Sequence, residues 1–528
     1  APDASAEEPS GLVGYKASVL HFIADPWDLA REGACSRDFA HQETCDHLAV
    51  EYFEEGLLVV TPSGHVHALG DYKDLHARFP DIAVVNYTNS ILLPGFIDCH
   101  THFPQLDSIA SWGDTLSEWL ENYIYPEESQ YVDPRVARKS ARRFTNDLLR
   151  AGTTTANVYN VIFEDGVDAL FEEAAAKNMR LISGLNGMAD CRGAYRFNTT
   201  EGEEVPLCNS EDPDDTLGIE SASIIRESSE RLIQKWHNKK GNRLIYSLMP
   251  RFLTTATPAS LEVYAELLAE APPSPEGLEV RFHTHVNENL ELSLDSIAGF
   301  QKLAMEYYNT EGSRAFLEKI LNAKTQLEIF ELYGLVNQNA SFAHNIHLTY
   351  RDYEVMRQGV PLNETLPIPE KGMNFHRPSS CHCPTSNLFL GSGLFDMKSH
   401  IEYDVPFGIG TDVGGGTSYS LLRTLGEVYK VSMLGALEAG NELTAQDKPM
   451  YPGGEEVGED GSLDKYFFPV KESYRLSPLK QIYLITLGTA KQLGLENFVG
   501  NFQQGKEADF VVIDKESTPW IRQRLKDI

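Results

Sequence analysis

The 528-residue chain carries 77 acidic against 45 basic side chains, a net charge of −32, with 42% hydrophobic, 10% aromatic and 23% charged residues. That acidity disfavours a nucleic-acid backbone or an anionic membrane as partner, and no apolar run reaches the ~18 residues of a bilayer-spanning helix. The composition is globular, and the length suits a large domain with a smaller one, or two to three domains.

The first ten residues (APDASAEEPS) are polar and lack a signal-peptide core. Residues 11–90 hold short β-like stretches, and GLLVVTPSGHVHALGD reads as a hairpin bent at Pro-Ser-Gly. From about 91 the texture changes. Candidate strands fall near 92, 155, 181, 245, 280, 341, 380 and 408, separated by amphipathic helical stretches that include one at 258–271. Eight strands alternating with helices predict an α/β protein built on a (β/α)8 barrel of the TIM type rather than an open sheet. Near the C terminus NFVGNFQQGKEADFVVID turns β-like again and is expected to rejoin the N-terminal strands as a small β-sandwich. The expected division is therefore 1–90 for the first part of the sandwich, 91–490 for the barrel and 491–528 for the returning strands.

Four stretches interrupt the alternation. Residues 190–216 are acidic and loop-like, 292–333 are helical, 361–378 are proline-rich, and 442–468 contain GGEEVGEDG. The first follows the third candidate strand, so it is expected on the barrel face where active sites form, as a lid or an oligomer contact. The third precedes the seventh strand and is expected on the opposite face.

Seven cysteines, at 35, 45, 99, 191, 208, 381 and 383, show no disulfide-framework spacing, which predicts a reducing, cytoplasmic setting. Cys381-His382-Cys383 lacks the second ligand pair of a thiolate metal site and reads as a strand interior.

Among 16 histidines, three His-x-His pairs stand out, because strand residues i and i+2 face the same side. His65 and His67 sit in the predicted hairpin without a carboxylate partner and read as surface residues. His100 and His102 end one strand, His283 and His285 another, with Glu288 three residues on. His344 and Asp412 fall at two further strand ends. His100, His102, His285 and Asp412 around one ion form a coherent zinc set.

PGFIDCHTHFPQ, MPRF, HTHVNEN, AHNIH, CHCPTSNLFLGSG, GTDVGGGTSYSLLRTL and LGTAKQLGLENFVGNFQQGKEADFVVID together resemble the guanine-deaminase branch of the amidohydrolase superfamily, over about 90–515. The resemblance implies hydrolytic deamination of guanine to xanthine and ammonia. It makes His100, His102, His285 and Asp412 the ligands of one zinc, with iron an alternative, and His344 the residue that orients water or substrate. Glu288 would be the proton shuttle, Asp412 a further proton acceptor, and Gln105, Arg251 and Phe252 the purine-holding residues. The resemblance also implies a homodimer. Relatives with two metals bridge them with a lysine on the fourth strand; RLIYSLMPRF has none, which favours one metal. His283 departs from the family pattern and is expected to be a packed histidine beside the ligands.

Trp112 reads as ordinary loop packing, with stacking on the ring as the alternative, while Trp119 and Tyr123, at helical i,i+4 spacing, read as a packing pair. GTDVGGGTS lacks GxxxxGK[ST], so its glycines are expected to allow close backbone approach beside Asp412 rather than to cradle phosphate. Competing readings are a related hydrolase of another purine, 8-oxoguanine or a triazine, and a catalytically silent scaffold of the same fold. Much of the excess acid lies in insertions, including Glu201, Glu203, Glu204, Glu455 and Glu456. It speaks against nucleic acid but not against a neutral nucleobase.

Overall fold

The computed structural model describes residues 10–35, 43–271, 278–358, 360, 376–438 and 476–517. Two compact units emerge, Ala1–Ile97 with Ser477–Ile528, and Asp98–Leu476.

The first unit is built on a five-stranded sheet in the order Phe510–Asp514, Ala83–Pro94, Val13–Phe22, Val50–Val60, Val66–Asp71. The predicted hairpin is present: Val50–Val60 pairs antiparallel with Val66–Asp71. Gly64 takes φ +84 at the bend, a conformation that glycine adopts without a Cβ clash. The C-terminal return is also present, as Phe510–Asp514 pairs antiparallel with Ser90–Pro94. Strand alternation sends Val19, Leu58, Val60 and Leu92 into one cluster and Leu57 and Val59 into another, so both faces of the sheet are covered. The apolar run ILLPGFIDCH, expected as one strand, divides at Gly95. Ala83–Pro94 belongs to this sheet, and Phe96–His102 begins the barrel.

The barrel strands are Phe96–His102, Thr153–Tyr159, Arg180–Ser183, Leu244–Pro250, Arg281–Val286, Ala340–His344, Ser379–His382 and Phe407–Ile409, adjacent in chain order. The register is parallel throughout: Thr155 faces Arg180, Leu244 faces Leu181 and Phe282 faces Ala340. Between the first and last strands, backbone bonds from Asp412 N to His100 O (2.9 Å) and from His102 N to Val413 O (3.2 Å) tie the two ends together. This is the expected (β/α)8 arrangement.

The helices follow local rules. Pro134–Arg150 starts with Asp133 accepting from Arg135 N and with proline in its first turn. It buries Ala137, Ala141, Phe144, Thr145 and Leu148, the stripe that a 3.6-residue period requires. Ala137, Ala141, Phe144 and Leu148 join Leu170, Leu244, Phe282 and Phe342 in the layer between strands and helices.

The 292–333 stretch is helical, in Leu290–Tyr307, Arg314–Asn322 and Gln326–Leu332. Residues 190–216 form a small hairpin, Arg196–Asn198 against Glu204–Pro206. Residues 361–375 and the whole of 442–468 lie outside the described residues. Cys381 and His382 are buried in the seventh strand, as expected.

The cysteine expectation requires correction. Cys35 pairs with Cys45 and Cys191 with Cys208 as disulfides, each with Cα atoms 5.4 Å apart, inside the usual bridging range. Each bond closes a local loop, of 10 and 17 residues, so a search for a repeated framework misses both. Cys99, Cys381 and Cys383 are free and buried. No helix among the described residues is long and apolar enough to cross a membrane.

Candidate active site

The C-terminal ends of the barrel strands converge on one polar cluster. His100 and His102 close the first strand, His285 the fifth and His344 the sixth, while Asp412 follows the eighth. All five are buried. His102 Nε2 lies 3.1 Å from His285 Nε2 and 3.1 Å from Asp412 Oδ1. His100 Nε2 is also 3.1 Å from Asp412 Oδ1, yet it makes no hydrogen bond. His344 and Asp412 have φ of 71° and 48°, a left-handed conformation that costs a non-glycine residue about 1–3 kcal/mol and tends to collect at functional sites.

Ring tautomers follow from the outer partners. His285 Nδ1 donates to Arg251 O at 2.6 Å, which leaves Nε2 as a lone pair facing the cluster. His283 Nδ1 donates to Ser341 O at 2.9 Å, so its Nε2 accepts from His100 Nδ1 at 2.8 Å. His100 therefore also turns an unprotonated Nε2 inward. The unpartnered Nε2 of His100 and the inward Nε2 of His285, buried beside a carboxylate, suit a divalent metal, and His100, His102 and Asp412 offer ligand atoms close enough to share one ion. His102 and His344 are placed the other way: Gln105 Nε2 donates to His102 Nδ1 at 3.1 Å and Asn387 Nδ2 to His344 Nδ1 at 2.9 Å, so as placed their Nε2 atoms carry the proton into the site.

Electrostatics agree with this division. Burial lowers His102, His283 and His285 from the usual imidazole value and takes His344 to about 3, keeping the rings neutral. Glu288 lies with an oxygen 3.5 Å from His344 Nε2. Desolvation, reinforced by Asp412, raises its carboxyl to about 8.

The cluster floors a pocket of about 330 Å³, counting its open mouth. Gln105, Arg251 and Phe252 line its wall together with Leu116, Trp119, Leu120 and Leu390. The nine residues singled out in the sequence thus meet in one place. Arg251 has two attachments: its carbonyl orients His285, and its side chain enters the pocket wall. Its guanidinium carbon lies 5.2 Å from the Tyr125 ring and 5.6 Å from that of Phe252.

The glycines near Asp412 act by close approach. A Cβ on Gly416 would lie 1.8 Å from Thr411 O, and one on Gly414 2.7 Å from Gln105 Cβ. Of the aromatic expectations, that of the Trp119–Tyr123 packing pair is corrected. Trp112 is 66% exposed and does not line the pocket. Trp119 does line it, with its indole nitrogen donating to Ser111 Oγ at 2.9 Å, whereas Tyr123 is exposed. A π-turn at Leu120–Ile124 breaks the i,i+4 relation on which that pairing rested.

The 190–216 hairpin contributes no pocket-lining side chain. Phe197 and Leu207 pack with Met188 and Tyr125, so it meets the pocket wall from behind. The sequence reading missed Asn387, Tyr125 and Glu128. For Glu128 a signal existed: it continues the buried stripe of Leu116, Leu120 and Ile124, where a carboxylate is out of place.

A model of the amidohydrolase family matches residues 91–528. The guanine deaminase of Escherichia coli (strain K12) is 33% identical over 472 residues, covering 89% of this chain and 84% of that protein. The solved structure of the E. coli enzyme aligns with TM-score 0.70 at 30% identity, covering 98% and 92% of the two chains. That of guanine deaminase from Bradyrhizobium japonicum gives 0.72 at 28%, covering 98% and 91%. The C. acetobutylicum guanine deaminase, solved with guanine in its active site, shares the fold with TM-score 0.68 at 18% identity, covering 98% and 93%. The chain belongs to the amidohydrolase family, and these relatives within it are guanine deaminases.

Proposed function

We propose that the protein hydrolyses guanine to xanthine and ammonia with one zinc ion per chain, held by His100, His102, His285 and Asp412. The same donors also suit iron. One observation carries the reading: a single pocket sets a guanidinium, an amide and an aromatic ring on its wall against inward-facing histidines and a carboxylate on its floor. The metal would lower the pKa of a water toward neutrality.

The side chains supply the rest. Arg251 offers fixed donors to the purine's carbonyl edge, Gln105 an amide for complementary bonding, and Phe252 a ring face. Glu288 takes a proton from the attacking water as the C2–O bond forms and delivers it to ring N3. Asp412 relays the remaining water proton to the amino group, the C2–N bond breaks, and ammonia leaves. A carboxyl raised to about 8 can hold and release a proton near neutral pH. His344 donates a hydrogen bond through Nε2 to the oxygen at C2.

Elemental analysis of the purified protein, coupled to a guanine-to-xanthine absorbance assay, tests this reading. Ammonia release from adenine, cytosine and 8-oxoguanine is compared in parallel, and preference for another base would sink the substrate assignment. The homodimer is a proposal from the family resemblance, checked by light scattering at twice the chain mass. A cytoplasmic setting is proposed on the purine-base substrate, while the two disulfides weigh toward an oxidising one. Thiol counting on protein from its own cells decides between them.

A further inference from the structure

Glu128 has no part in the chemistry above, yet it is 1% exposed and lies behind the substrate-facing wall. Its two oxygens go to different residues. Oε1 accepts from Gln105 Nε2 at 3.0 Å, and Oε2 pairs with Arg251 Nη1, both side chains of that ion pair being 2% exposed. A guanidinium without a counter-charge is strongly disfavoured in so dry a place, so Arg251 stays in the wall because a carboxylate shares its burial. Glu128 occupies Nη1, while Arg251 Nε has no partner among the described residues.

The segment that carries Glu128 is itself part of the wall. Leu116, Trp119 and Leu120 line the pocket, the π-turn at Leu120–Ile124 follows, and Tyr125 sets its ring by the guanidinium. One stretch of chain therefore supplies both the apolar lining and the anchor of the polar readers.

We propose that Glu128 is a positioning residue for substrate recognition: by gripping Arg251 with one oxygen and Gln105 with the other, it fixes the two polar groups that read the purine edge. The inference rests on the guanine reading for its substrate, but the positioning itself concerns Arg251 and is measurable without turnover. A carboxylate divided between two readers couples them, so loss of its charge frees both.

The test compares the parent with Glu128→Gln, which keeps the shape and removes the charge. Metal content, thermal midpoint, kcat and KM for guanine are measured, and ligand-free crystals of both proteins are solved. We expect metal content to be retained, kcat/KM to fall about ten- to hundredfold, and Arg251 to leave its place in the wall or to split among rotamers. A fall smaller than about tenfold, loss of metal in step with activity, or Arg251 in its parental place at full occupancy overturns the proposal. Glu128→Asp, with the charge kept on a shorter stem, carries the same test if the glutamine variant does not fold; there the displacement of Arg251 and the loss in kcat/KM must again appear together. A parent that releases no ammonia from guanine defeats the function reading instead, and the position of Arg251 in the crystals then decides the positioning role alone.

Discussion

His283 Nε2 lies 2.8 Å from His100 Nδ1, and through that bond the carbonyl of Ser341 determines which nitrogen of His100 faces the cluster. The order is one-way: Ser341 O accepts from His283, and His283 accepts from His100. A histidine read from the sequence as packing beside the ligands thus orients one of them.

Removing that acceptor leaves His100 free to change tautomer and rotate. His283→Ala should weaken metal binding about 10–100-fold. Competition with a chromophoric chelator measures this directly, and unchanged affinity would show that His100 is oriented without His283.

Glu288 is predicted to move protons rather than to hold metal. Glu288→Gln should therefore lower kcat about 10²–10⁴-fold with metal content unchanged. Ammonia release and elemental analysis of one preparation provide both readings. Metal loss in the variant would point to a ligand role instead.

The Cys191–Cys208 disulfide closes a 17-residue stretch whose hairpin packs on Tyr125 behind the pocket wall. Cys191→Ser should lower stability by about 3 kcal/mol and raise KM for guanine more than it changes kcat. Thermal unfolding with and without reductant checks the first part and initial rates the second. Insensitivity of the parent to reductant would count against the bond.

His237 gives the stability a pH dependence outside the site. Burial lowers it to about 4 from an unfolded value of 6.5, and its Nδ1 accepts from Tyr246 N at 3.1 Å. Between those values the unfolded chain binds a proton that the folded one refuses. Its contribution is complete above pH 6.5 and is lost as pH falls through 4, amounting to roughly 2–3 kcal/mol. In denaturant titrations from pH 7 to 4, His237→Gln should flatten this part of the decline.

The sequence alone determined the strand count, the barrel and the histidines at the strand ends, because period-2 pairs and alternating apolar runs are local signals. It also yielded Gln105, Arg251 and Phe252, through motif resemblance rather than periodicity. It did not determine the break at Gly95, because an unbroken apolar run does not show which of two sheets each half will join. The disulfides depended on folding to bring Cys35 to Cys45 and Cys191 to Cys208. Trp119 was misread because a π-turn shifts the helical phase, and no propensity encodes that shift. The site's inner polarity was decided only by tertiary structure. Ser341, His283 and His100 lie on three strands, Glu128, Gln105 and Arg251 on three separate segments, and a hydrogen bond acquires a direction only when folding brings its partners within about 3 Å.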